Sequence, residues 1–160
     1  MKGLVQIINE KLKIHKSKSI KINHIPKTIS DLKYIVGEKI KNEDYDLRDI
    51  DVSNVLVFDY LFRDINRYEK NKIKSLDVTG WDVSNAKSFK GMFFNCFELE
   101  EINGIEEWNV TSVNDMRSMF YNCKKLICDI SDWKINDNCN IFNIVTGAEH
   151  VRIPNLFNFV

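Results

Sequence analysis

The sequence predicts an α/β solenoid of about four stacked strand–helix units, preceded by an N-terminal α/β cap. Three observations support this fold class. A segment recurs along the chain with a period near 27 residues, apolar residues within each copy have helical spacing, and an alternating apolar–polar stretch precedes most copies. One such unit cannot bury its own apolar face, so neighbouring units are expected to stack.

The repeat is read most clearly in three segments that align without a gap. They are IDVSNV at 50–55, WDVSNA at 81–86 and WNVTSV at 108–113, and in each a Phe lies eleven residues after the Asp or Asn. A fourth, less regular copy begins at Trp133. Because the copies keep a common register, we expect Trp81, Trp108 and Trp133 to stack along the interior of the fold.

Each repeat is predicted to form one helix and one strand. Ser53, Ser84 and Thr111 are suited to cap a helix of about ten residues, whose apolar positions would face the core. We assign the aromatic and Met columns of the repeats to that core. Short strands are predicted at 76–78 and 126–130, where apolar and polar residues alternate.

The segments at 81–96 and 108–123 resemble the BspA-type leucine-rich repeat, whose unit reads approximately W-D-V-S-N-V-x-x-M-x-x-M-F-x-x-C. The resemblance covers residues from about 45 to 146. It implies a leucine-rich-repeat solenoid at 45–160 that binds proteins and has no catalytic residues. Members of that family are best known as bacterial surface adhesins, with short versions in bacterial and phage genomes.

Residues 1–44 lie outside the resemblance and are expected to form a basic capping segment. A first helix is predicted from Leu4 to Leu12, a short strand at 20–22, and a second helix that opens at Ser30 or Asp31. Residues 1–42 have a net charge of +7, so the remainder of this neutral chain has a net charge of −7. The charge distribution is therefore strongly uneven.

Two surfaces are candidates for binding. The outward positions of the predicted strands form an acidic strand face suited to a basic protein partner: Asp77, Thr79, Glu100, Glu101, Asn103, Asp129 and Ser131. The N-terminal segment supplies a basic patch suited to phosphates: Lys11, Lys13, Lys16, Lys18, Lys21 and Lys27.

The predicted function is non-catalytic protein binding through the solenoid face. The alternatives are a phage-encoded inhibitor that blocks a host defence protein or nucleoprotein, and a nucleic-acid binder that uses the N-terminal lysines. Self-association of the basic end with the acidic face would explain the same charge distribution. No nucleophile, phosphate-loop, dinucleotide or zinc-protease motif occurs, so we expect no enzyme, cofactor or metal site.

The expected location is the cytoplasm, without membrane association. The apolar run near Met1 is interrupted by Asn9 and Glu10, and it is too short for a secretory signal. In a reducing compartment the four cysteines are expected to be structural residues of the core.

Overall fold

The computed structural model describes residues 20–65 and 72–155. The elements in chain order are α1 Ile29–Lys41, β1 Ser75–Asp77, β2 Glu101–Asn103, a 3₁₀-helix Ile105–Glu107, β3 Cys128–Asp129 and β4 Val151–Arg152. Strand β1 pairs in parallel with β2, and β3 pairs in parallel with β4, which gives two small sheets.

Helix α1 begins with a capping box. The hydroxyl of Thr28 accepts a hydrogen bond from the amide of Asp31, and the carboxylate of Asp31 accepts one from the amide of Thr28. Leu32 and Val36 are buried against the core. The second predicted helix is thus present, but it begins at Ile29 with Thr28 as its cap and not at Ser30 or Asp31. The strand expected at 20–22 is absent, and the helix expected from Leu4 to Leu12 lies outside the described residues.

The predicted leucine-rich-repeat solenoid of strand–helix units is wrong. The stretches after Ser53, Ser84 and Thr111 are runs of turns, and α1 is the only α-helix in the described ranges. Four such runs lie side by side, and we call them the turn segments: 56–65, 87–96, 114–123 and 139–148. Parallel bridges join Val57 to Ser88, Ser88 to Asp115, and Asp115 to Asn140.

Hydrogen bonding explains why the turn segments are not helical. Every second amide donates to the next segment: Phe89 to Asp115 at 2.8 Å, and Phe93 to Met119 at 2.9 Å. Of the amides between them, that of Lys90 donates to the side chain of Ser88, whereas that of Met92 donates three residues back to the carbonyl of Phe89. An α-helix would use all of these amides within its own segment, four residues back. We call this repeated arrangement the turn ladder.

Backbone conformation completes the explanation. Two positions in each turn segment have a left-handed conformation, which interrupts right-handed winding every four residues. The apolar side chains between these positions still recur at intervals of three and four, so their spacing imitates a helix. The left-handed residues are Tyr60, Asp64, Gly91, Asn95, Ser118, Asn122, Asn143 and Gly147.

The core confirms the predicted register of the repeats. The rings of Trp81 and Trp108, and those of Trp108 and Trp133, stack with centroids 6.2 Å apart in each pair. Phe93 stacks in the same manner on the Phe residues of the two neighbouring segments. The Met residues of the repeats, Met92, Met116 and Met119, are fully buried, as expected.

Candidate functional site

The residues of the predicted strand face lie on both sheets. Asp77 is in β1, Glu101 and Asn103 are in β2, and Asp129 is in β3. Glu100 precedes β2, whereas Thr79 and Ser131 follow β1 and β3 by two residues. Asp77 and Asn103 are directly paired across the first sheet, but the second sheet pairs Asp129 with Arg152. The seven residues are therefore divided between two short sheets.

Basic side chains compensate much of the acidity of this face. Arg48 forms an ion pair with Asp77 at 3.1 Å, Lys74 with Glu100 at 2.8 Å, and Arg152 with Asp129 at 3.0 Å. The hydroxyl and amide of Ser131 donate to the carboxylate of Asp129 and lower its pKa. These internal partners reduce the attraction that the face would exert on a basic protein.

An open groove crosses the strand face. Lys74, Ser75, Glu100, Glu101 and Ile127 line it. The side chain of Ile127 is 73% exposed and lies among charged neighbours. This groove supplies one apolar contact within a polar rim.

Only part of the predicted basic patch can be placed. Lys21 and Lys27 are exposed, whereas Lys11, Lys13, Lys16 and Lys18 lie outside the described residues. Lys21 borders a shallow depression that contains three aspartates, Asp44, Asp46 and Asp49.

Lys39 forms ion pairs with two of those aspartates, Asp44 and Asp49. Its ammonium lies 2.7 Å from Asp44 and 2.9 Å from Asp49. Burial lowers the pKa of Lys39. Its hydrogen bonds to the two carboxylates raise the pKa by more than burial lowers it, so the net shift is upward. This cluster fastens α1 to the first repeat, which is a structural role.

A different surface combines aromatic rings with cations. We call it the aromatic–basic face, and it consists of Tyr60, Arg63, Lys90, Phe94 and Tyr121. The guanidinium of Arg63 lies 5.3 Å from the ring centre of Tyr60 and 5.6 Å from that of Phe94. The ammonium of Lys90 lies 5.7 Å from the Tyr60 ring on the same surface. The rings of Phe94 and Tyr121 stack with centroids 4.9 Å apart.

The turn ladder positions these side chains. Tyr60 has a φ of 56°, and its ring covers Gly91 of the next segment, where a Cβ atom would collide with it. Phe94 and Tyr121 each precede a left-handed Asn, so their rings are only partly buried. The sequence interpretation missed this surface because it assigned the aromatic columns to the core. The signal available was the aromatic residue directly before Asn95 and Asn122.

No cluster of three His, Cys, Asp or Glu side chains in the described part of the chain could hold a metal ion. Of the helices there, none is both long and apolar enough to cross a membrane.

Comparison with known proteins corrects the resemblance inferred from the repeat. No leucine-rich-repeat family and no BspA-type family matches the chain, and the lack of repeated helices in ranges 20–65 and 72–155 agrees with that result. No curated protein and no solved structure matches it either. A family described as "Mycoplasma protein of unknown function, DUF285" matches residues 30–156, which is more than three quarters of the chain. The chain therefore belongs to this family.

Proposed function

We propose that this chain is a non-catalytic protein-binding module and that its principal contact surface is the aromatic–basic face. The observation that carries the proposal is the arrangement of Arg63 between the rings of Tyr60 and Phe94. Tyr and Arg are, together with Trp, the residues enriched among those that dominate binding energy at protein interfaces, and aromatic side chains are enriched there as a class.

The surroundings of these residues support the proposal further. Their backbone belongs to the turn ladder, in which hydrogen bonds fix successive segments, so little conformational entropy would be lost on binding. Arg63 also forms a 3.0 Å ion pair with Asp64, which holds the guanidinium over the rings. A partner with acidic and apolar side chains would complement this surface best.

The first test is affinity capture of tagged protein from a lysate, followed by measurement of Kd for any partner recovered. Arg63→Ala and Tyr121→Ala are each expected to weaken binding by about 30-fold, which corresponds to roughly 2 kcal/mol. Ile127→Ala on the strand face is the matched control and should bind as the parent does. If only Ile127→Ala weakened binding, the contact surface would instead be the predicted strand face.

A single-stranded nucleic acid is the second candidate ligand for the same surface. Stacked rings flanked by cations favour it, because bases stack on aromatic side chains while Lys and Arg neutralise phosphates. Fluorescence anisotropy with labelled oligo-dT separates the two candidates. Binding that falls steeply between about 50 mM and 200 mM salt and is lost in Tyr121→Ala would favour the nucleic acid.

A further inference from the structure

The two ends of the turn ladder carry complementary rows of backbone groups. In its interior, each segment donates four amides to the next: Phe58, Tyr60, Phe62 and Asp64 donate to Ser88, Lys90, Met92 and Phe94. The second and third interfaces repeat this pattern at equivalent positions, with donor–acceptor distances from 2.7 to 3.0 Å.

The fourth turn segment has no segment beyond it in the described structure. Its amides at the donor positions find no hydrogen-bond acceptor within residues 20–65 and 72–155, although the amides between them are bonded. The donor row consists of Ile141, Asn143, Val145 and Gly147. Phe142, whose side chain is 69% accessible, lies between Ile141 and Asn143 at the start of this row.

The first turn segment presents the opposite chemistry. Its carbonyl oxygens at the acceptor positions receive no hydrogen bond from any described residue. The acceptor row consists of Val57, Asp59, Leu61 and Arg63. Two apolar side chains are exposed beside this row, Leu56 at 51% and Val57 at 37%.

We propose that copies of this chain associate head to tail, with the donor row of one copy bonded to the acceptor row of the next. The partner is a second copy because the two rows have the spacing and direction of the four forward bonds that already join successive segments within one copy. Unpaired backbone rows of this kind are templates for further pairing. The exposed Phe142, Leu56 and Val57 would be covered in the same contact.

The symmetry of this contact makes a specific prediction. The two surfaces differ, so the interface is heterologous and each added copy leaves one free end of each type. Assembly should therefore continue beyond the dimer as concentration rises. Only a small area and four backbone bonds join two copies, so the association should be weak.

The test uses sedimentation velocity of the full chain from about 5 μM to about 500 μM, a range suited to weak contacts. The parent should shift progressively to larger species. Leu56→Lys/Val57→Lys blocks the acceptor end and Phe142→Lys blocks the donor end, so each variant alone should remain monomeric. An equimolar mixture of the two should form a dimer that grows no further, since each partner keeps one working end.

Ile127→Lys is the matched control, because it replaces an equally exposed apolar side chain away from both ends. It should assemble as the parent does. The melting temperature of each variant, followed by circular dichroism, checks that these substitutions of exposed side chains leave the fold intact. The inference is overturned by a parent that stays monomeric throughout, by end variants that assemble normally, or by a mixture that fails to dimerise.

Discussion

The indole rings of Trp81 and Trp108 lie 6.2 Å apart and within 4° of parallel, but only Trp81 has a hydrogen-bond partner for its indole nitrogen among the described residues. The Nε1 of Trp81 donates to the carbonyl oxygen of Leu47 at 2.8 Å. The Nε1 of Trp108 is buried with no acceptor among the described residues. The stack is thus uniform in packing and uneven in hydrogen bonding, which allows the two contributions to be separated.

Substitution of these tryptophans should reveal both contributions. Trp108→Ala is expected to lower the free energy of unfolding by about 3 to 5 kcal/mol, because it empties the centre of the stack. Trp81→Phe should cost about 1 kcal/mol more than Trp108→Phe, since only the former loses a hydrogen bond. Urea denaturation of the three variants measures these differences. Equal stability of the two Phe variants would mean that the Leu47 contact contributes nothing.

Gly91 should be intolerant of a side chain. Its φ of 56° disfavours any L residue with a Cβ, and a Cβ there would collide with the ring of Tyr60. Gly91→Ala is therefore expected to lower the free energy of unfolding by more than about 1 kcal/mol. The measurement is thermal or urea unfolding.

Gly37→Ala is the control for that substitution. Gly37 lies in α1 with open space around its Cα, so alanine should stabilise the helix by about 0.5 to 1 kcal/mol. If both variants were equally stable, the close approach of Tyr60 to Gly91 would be refuted.

Acid should destabilise the protein through its paired aspartates. Hydrogen bonds from Arg117 lower the pKa of Asp115. Burial raises the pKa of Asp49, but hydrogen bonds from Asn23 and Lys39 outweigh burial, and the pKa of Asp49 is lowered overall. Because the folded pKa values are below the unfolded value of about 3.9, the stabilisation is complete well above pH 4. It is lost as the pH falls through the lowered values.

Urea unfolding between about pH 7 and pH 2.5 measures this effect. Asp49→Asn should be less stable than the parent at neutral pH and should lose less stability on acidification. An acid dependence as steep as that of the parent would show that Asp49 keeps an ordinary pKa in the folded state.

The cysteine thiols should react slowly in the folded protein. Burial raises the pKa of Cys128 to about 12 and that of Cys139 to about 11, and it also raises the pKa of Cys96. The reactive species is the thiolate, so little is available at pH 8. A chromogenic disulfide reagent should label Cys139 first, since it is the least buried, and all four thiols after denaturation. Rapid labelling of Cys96 before unfolding would contradict this placement.

The sequence allowed the register of the repeats to be predicted but not their backbone conformation. Trp81, Trp108 and Trp133 stack as expected because equal spacing places equivalent residues side by side. The helices were wrong because apolar residues three and four apart suit both a helix and turns with two left-handed positions. Asn95 and Asn122 were the available cue, since Asn adopts the left-handed conformation more readily than most residues.

The candidate surfaces were predictable to a smaller extent. The alternation of apolar and polar residues correctly placed Asp77 and Asp129 on strands. It could not reveal the ion pairs of these aspartates with Arg48 and Arg152, because both arginines are more than 20 residues away in the sequence. The aromatic–basic face depends on Tyr60 lying over Gly91. That contact follows from the turn ladder, so a sequence interpretation based on helices could not find it.

The most direct test of the turn ladder is the hydrogen bond made by the amide of Phe93. Scalar coupling across hydrogen bonds, measured by nuclear magnetic resonance on isotope-labelled protein, identifies the acceptor carbonyl of each amide. The structure predicts coupling from the Phe93 nitrogen to the carbonyl carbon of Met119 in the next segment. Coupling to the carbonyl of Phe89, four residues back, would instead demonstrate an α-helix and contradict the account.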